Sequence, residues 1–192
     1  MAAALALMVG LDRLVGGVSL TVPALFGGGA DFVFVRTYLP LIWAAAIADS
    51  FAGRCLSVEA RPLPFVSVPV SRLGIYDATL FLVASSTVAL VSVAPSGEWS
   101  EVGPVLVLSG VTCIGTLRAG PAVGIFTSTM LMLLTSVYPQ VAPGSRFIHV
   151  LQPDGEVAWS LGCGIAVGVA AVALLATNSA RTRLRVAEAS GL

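Results

Sequence analysis

The chain has 192 residues, of which 57% are apolar before its 20 glycines are counted, and only 10% are charged. A soluble domain averages about 45–50% apolar with glycine included and about 25% charged, so, at a mean hydropathy of +0.96, the remainder cannot furnish a water-facing surface. The composition is that of an integral membrane protein, and it excludes a fused ATPase, a receptor ectodomain and a cytosolic enzyme.

In chain order, apolar runs predict six spanning helices in a single transmembrane domain over 1–192: about 4–26, 32–51, 73–94, 102–117, 119–138 and 157–176. The fold class expected is all-α, a polytopic transmembrane helix bundle. The first run carries Asp12 and Arg13 internally. No positive charge precedes its apolar start and no small-residue cleavage site follows closely, so it reads as a span rather than a secretory signal. Gly27-Gly28-Gly29, Pro95-Ser96-Gly97, Arg118-Ala119-Gly120-Pro121 and Pro143-Gly144 punctuate the runs as stop and turn signals. Two longer connections, 52–72 and 139–156, carry three prolines each.

All ten basic residues are arginine and are balanced by ten acidic residues. No polybasic patch results, and no nucleic-acid partner is expected. Arg54, Arg61, Arg72, Arg118, Arg181, Arg183 and Arg185 fall on one side of the six-span topology, against Arg146 in a connection on the other. The positive-inside rule then predicts both termini in the cytoplasm of a plasma (inner) membrane protein.

Charges within the hydrocarbon cost about 2.5–3.5 kcal/mol each on insertion scales, which singles out Arg13, Asp49 and Asp77. Asp49 and Asp77 flank the 52–72 connection about 5 Å inside the boundary, and Arg13 lies about 14 Å deep with a side chain long enough to reach back. These three are the candidates for an intramembrane ion pair that fixes helix packing, the alternative being a proton or substrate relay. Arg36 is near enough to a span end to snorkel. Gly164 and Gly168, four apart in the last span, are the expected helix-packing pair, with close intramolecular contact favoured over a dimer seam.

No catalytic constellation is found. His149 is the single histidine, the cysteines Cys55, Cys113 and Cys163 have no metal-ligand spacing, and no phosphate loop or nucleophile elbow occurs. The expectation is therefore no enzyme activity, no metal and no cofactor. Ser109-Gly110 has the look of an intramembrane serine nucleophile, but His149 falls outside the spans and cannot serve as its base.

Three places read together carry a likeness: Glu59-Ala60-Arg61-Pro62-Leu63-Pro64 after the second span, the Arg118-Ala119-Gly120-Pro121 hairpin turn, and Leu151-Gln152-Pro153-Asp154 before Ala158-Trp159 and a Gly-rich last span. This pattern resembles a group of actinobacterial multi-pass membrane proteins similar to ABC-type permease subunits, and an all-arginine basic set fits the GC-rich codon bias of such a source. The resemblance implies a transport subunit energised by a separate ATPase chain. Only the 52–72 connection is long enough to dock such a chain, with Glu59 and Arg61 as its central charges; the alternative is a solvated connector that joins two spans. The alternatives are a substrate-binding subunit of an energy-coupling-factor importer and a non-transporting membrane scaffold. The partners expected are the lipid bilayer, a separate ATPase subunit and a homo- or hetero-oligomer.

Overall fold

The computed structural model describes residues 2–23, 30–34, 38–52, 70–96, 102–137, 150–151 and 157–190. They form six helices, α1 (Ala2–Val15), α2 (Pro40–Phe51), α3 (Val70–Ser96), α4 (Val102–Ala119), α5 (Pro121–Val137) and α6 (Val157–Ser190), with strands β1 (Ser19–Pro23) and β2 (Ala30–Phe34) between α1 and α2. The chain is a helical bundle in which 74–91 of α3, 102–119 of α4 and 157–177 of α6 are long and apolar enough to cross a membrane. It is a polytopic helical membrane protein.

The first two apolar runs are not the continuous helices expected. Helix α1 ends at Val15, where the Gly16 N–H bonds the Asp12 carbonyl at 2.9 Å and the Val18 N–H bonds that of Val15 at 2.9 Å. Gly16-Gly17 weakens the helix, and the following Val18, Thr21 and Val22 favour a strand. Strands β1 and β2 pair antiparallel, from Ser19 opposite Phe34 to Pro23 opposite Ala30. The second run is split likewise: residues 32–34 belong to β2, and the helix starts only at Pro40. Proline lacks the N–H that a helix interior needs but suits a first turn, so it marks the start of α2 rather than its middle.

The remaining helices lie close to the expected runs. Between α4 and α5 the chain reverses at Gly120, whose φ of 103° is in the left-handed region glycine adopts at no steric cost. Its N–H caps α4 by bonding the Thr116 carbonyl at 3.0 Å, and Pro121 opens α5. Helix α6 runs past the expected end at 176 to Ser190, because Ala, Arg, Leu and Glu sustain a helix beyond the apolar segment.

Helix α4 is the centre. Of its 18 residues, 12 are buried, and it packs against α2, α3, α5 and α6. Close backbone approach makes this enclosure possible. A Cβ built on Gly110 would lie 2.6 Å from the Val167 side chain, and one on Gly164 would lie 2.9 Å from Leu106 and 3.1 Å from the Gly103 carbonyl. Residue numbers rise together along these contacts, so α4 and α6 run parallel. Across the hairpin, a Cβ on Gly115 would meet the Gly124 Cα at 2.9 Å.

Two apolar clusters fill the bundle. Trp43, Ile47, Phe51, Phe81, Val88, Val105, Cys113, Leu117 and Leu175 form the larger, with Phe51 and Phe81 edge to face at 6.4 Å between ring centroids. Val107, Leu108, Met132, Val150 and Leu151 form the smaller, with Tyr38 and Leu41 packed on it. Tyr38 and Leu41 place the start of α2 beside Val107 and Leu108 of α4. Arg118, at the end of α4, and the arginine-bearing extension of α6, which runs parallel to α4, share one end of the bundle. Five residues join α3 to α4, which brings Arg72 in the first turn of α3 to that end too.

Gly164 and Gly168 make opposite predictions. A side chain on Gly164 has no room, whereas a Cβ on Gly168 meets nothing within 4 Å. Gly164→Val should lower stability by about 1–3 kcal/mol through overpacking, and Gly168→Ala should be neutral or stabilise by up to about 1 kcal/mol through helix propensity. Thermal unfolding of the two variants in mild detergent checks the contrast.

Candidate functional site

A polar seam lies inside the apolar bundle. On α4, Ser109, Thr112 and Thr116 recur at spacings of three and four, which places them along one helix face. All three are fully buried. Opposite them α5 presents Gly124, Ser128 and Thr135, spaced by four and seven, with both hydroxyl residues buried. The Thr112 and Ser128 hydroxyls hydrogen-bond to each other across the two helices. Each also reaches its own helix: Thr112 Oγ1 donates to the Leu108 carbonyl at 2.7 Å, and Ser128 Oγ to the Gly124 carbonyl at 2.9 Å. Two hydroxyls supply two protons, so these contacts share them, and the pair is a shared network rather than two independent caps.

Ser109 Oγ donates to the Val105 carbonyl at 2.6 Å, and Thr135 Oγ1 donates to the Leu131 and Met132 carbonyls at 3.1 and 2.9 Å. Ser160 Oγ on α6 donates to the Val150 carbonyl at 2.6 Å, tying residues 150–151 to the bundle. Among the described residues three further buried polar atoms make no hydrogen bond: Trp43 Nε1 on α2, Ser85 Oγ on α3 and Thr116 Oγ1 on α4. In a hydrocarbon setting such atoms are costly, so a bundle with three of them has a polar interior that packing alone does not require.

Helix α2 supplies the second feature. Its 12 residues span about 18 Å at 1.5 Å each, well short of the roughly 30 Å hydrocarbon core. Leu39 and Trp43, at its start, are only 7% and 3% exposed. Pro40, Leu41 and Ile42 between them are half-buried, and α1, α4 and α5 pack on the helix.

The residues singled out from the sequence lie on several elements. Arg13, in the last turn of α1, and Asp49, in the last turn of α2, are exposed, and Asp77 on α3 is half-buried. Asp77 is within electrostatic range of the buried Cys113 thiol on α4, a proximity that spacing along the chain does not reveal. Gly164 packs on α4, and Gly168 has open space beside it. Glu59, Arg61, Arg36, Cys55 and His149 lie outside the described residues. Among the described residues no three metal-ligating side chains are gathered.

The Ser109–Thr112–Thr116 and Gly124–Ser128 spacings could have been read from the chain as facing small and polar stripes. The unbonded Trp43 could not, because its burial depends on the shortness of α2. No protein-family model matches the chain, nor does any curated protein or solved structure.

The seam has a measurable strength. Hydroxyl contacts between membrane helices average about 0.6 kcal/mol and reach about 1.7 in double-mutant cycles. A cycle of Thr112→Val and Ser128→Ala, read by unfolding in detergent, should give a coupling in that range. A coupling near zero would show that the two helices are held by shape alone.

Proposed function

We propose that this protein is the integral membrane subunit of a transport assembly, of ABC-permease-like type and energised by a separate ATPase chain. The observation that carries the reading is α2, a 12-residue helix too short to span, buried along one face in a bundle with polar atoms in its interior. Transporters bring the ends of broken helices into the membrane in this way, because a helix terminus there offers unpaired backbone groups to a substrate. The chain carries no nucleotide-binding motif, so energy from a nucleotide would come from another chain. The resemblance to permease subunits supports the same assignment.

In this reading the basic end of the bundle, with Arg72, Arg118 and the α6 arginines, faces the cytoplasm, and Glu59 and Arg61 contact the ATPase. Affinity purification in mild detergent with identification of co-purifying chains tests the partner: an ATPase supports the transport reading, and its absence removes it. An ATPase that arrives with a second, larger membrane subunit points to the substrate-binding subunit of an energy-coupling-factor importer. Reversing both charges, Glu59→Arg with Arg61→Glu, should weaken ATPase retention in rising salt, and wild-type retention would remove these residues from the contact. For orientation, in a cysteine-free background Gly97→Cys should react with an impermeant thiol reagent in intact cells, and Ala187→Cys should not.

A membrane scaffold is the second reading, and one observation favours it. Ala158, Gly162, Ala166 and Ala170 are exposed at four-residue spacing on α6, a face suited to close approach by another helix.

The proposed intramembrane pair has its own test. If Arg13 pairs with Asp49 or Asp77, Arg13→Ala lowers folded yield, and a second substitution of the correct aspartate restores part of it. No recovery in either double mutant would remove the pair.

A further inference from the structure

We propose that the end of the bundle carrying Arg118, Arg181 and Arg185 is a docking surface for the headgroups of acidic phospholipids. The inference rests on the membrane-spanning bundle and not on the transport reading.

Net charge is zero over the whole chain, but folding does not spread it evenly. Gly103 lies against Ser160 and Gly110 against Val167, a constant offset that carries Arg118, at the end of α4, to the level of Leu175 on α6. Leu117 and Leu175 share the larger apolar cluster, as that level requires. Along α6, Ser160 and Val167 meet α4, and Ala171 and Leu175 are buried in the cluster with Leu117. At 3.6 residues per turn this face continues to 178, 181–182 and 185. Arg181 and Arg185 therefore occupy positions on the face of α6 that lower down holds α4. Helix α4 stops at Ala119 and the chain turns at Gly120, so the face runs on past the end of its neighbour, beyond the exposed Arg118.

The charge gathered there is mainly of one sign. No aspartate or glutamate occurs in 102–137 or 157–187, which leaves no acidic partner on α4, on α5 or along α6 as far as Glu188. Asp77 on α3 is within electrostatic range of Cys113, which lies about 7 Å before Arg118 along α4. Asp49, exposed near Phe51 of the same cluster, sets one carboxylate against three guanidinium groups.

The depth of these arginines selects the partner. The apolar span of α6 ends at Thr177. Arg118 is level with its last turn, and positions 181 and 185 stand about 6 and 12 Å beyond it. The headgroup layer adds about 5–8 Å to each face of the roughly 30 Å hydrocarbon core. Arg118 and Arg181 thus fall at the depth of lipid phosphates, and position 185 is within the length of an arginine side chain of them. A guanidinium pairs with phosphate oxygens through two N–H groups, and an excess of positive charge favours a headgroup with net negative charge over a zwitterionic one. Neither a soluble anion nor an acidic protein surface calls for arginines at this depth.

The experiment uses the full chain in a neutral maltoside detergent, with thermal unfolding followed by intrinsic fluorescence. One arm titrates dioleoyl phosphatidylglycerol, a second dioleoyl phosphatidylcholine with the same chains, and a third inorganic phosphate against sodium chloride at constant ionic strength. A saturable rise in unfolding temperature is expected with phosphatidylglycerol alone, and it should shrink in rising salt. Replacing Arg118, Arg181 and Arg185 by Gln should weaken the apparent affinity about fivefold for each arginine removed, whereas Lys at the same positions should keep most of the response. Arg146→Gln, in the connection that the sequence assigns to the opposite side, should bind like the parent. Equal responses to the two lipids overturn the surface, as does a triple Gln variant that prefers phosphatidylglycerol as the parent does. A response to inorganic phosphate equal to that of the lipid overturns it in favour of a soluble anion. If the triple variant loses a co-purifying ATPase and keeps its lipid preference, the arginines belong to a protein contact instead. Should the triple Gln variant fail to fold, the contrast between the two lipids and its salt dependence in the parent decide alone. A chain that prefers phosphatidylglycerol yet purifies without an ATPase keeps this surface and loses the transport reading.

Discussion

The close approach of backbones around α4 is the constraint from which the rest of the bundle follows. In lipid, helices gain little from hiding apolar surface from one another, since the acyl chains are as apolar as leucine. Association has to come from packing and from polar contacts. Glycine at 103, 110 and 164 lets α4 and α6 touch along their lengths, and Gly115 against Gly124 does the same for α4 and α5. Close backbones also bring the short hydroxyl side chains of Thr112 and Ser128 within bonding distance. The polar seam is thus a consequence of glycine spacing, and both would be lost if larger residues held the helices apart.

With α4 enclosed by its neighbours, the lipid-facing surface falls to α3, α5 and α6, and their exposed residues are of the expected kind. Ile75, Leu82, Val83 and Leu90 on α3, Phe126 and Leu134 on α5, and Ile165 and Val169 on α6 are all exposed. A soluble protein could not tolerate such a surface; a bilayer requires it. Helix α2 belongs to neither group. It is too short to span, and Trp43, Ala44, Ile47, Ala48 and Phe51 are buried along it, so it behaves as an internal element on which the outer helices close.

Much of this was legible in the chain because hydropathy reports on the solvent directly. Runs of apolar residues bounded by Gly-Pro and Arg signals locate α3 to α6 within a few residues, and Arg118-Ala119-Gly120-Pro121 marks a turn whose geometry requires glycine at position 120. The N-terminal third departs from its apolar runs because hydropathy does not separate a strand from a helix. Residues 18–23 are as apolar as a span, yet their β-branched side chains and the Gly16-Gly17 break give a strand. Pro40 lies inside the second run and marks the first turn of α2. Arg13 and Asp49 lie exposed, whereas the buried polar groups are serines, threonines and an indole, which cost hydropathy little and so leave the apolar runs looking uniform.

That difference bears on how a bundle of this kind accommodates a polar solute. A charge in the interior needs a permanent partner, and removing that partner leaves an isolated charge in a medium that cannot solvate it. A hydroxyl or indole N–H is neutral and costs less to leave unpaired. It can exchange a backbone carbonyl for a ligand oxygen with a small change in free energy, because the two bonds are alike. Ser109, Thr112 and Ser128 already bond to carbonyls of their own helices, while Trp43, Ser85 and Thr116 have no partner. The interior therefore combines satisfied hydroxyls, which hold α4 and α5 in register, with unsatisfied groups on α2, α3 and α4.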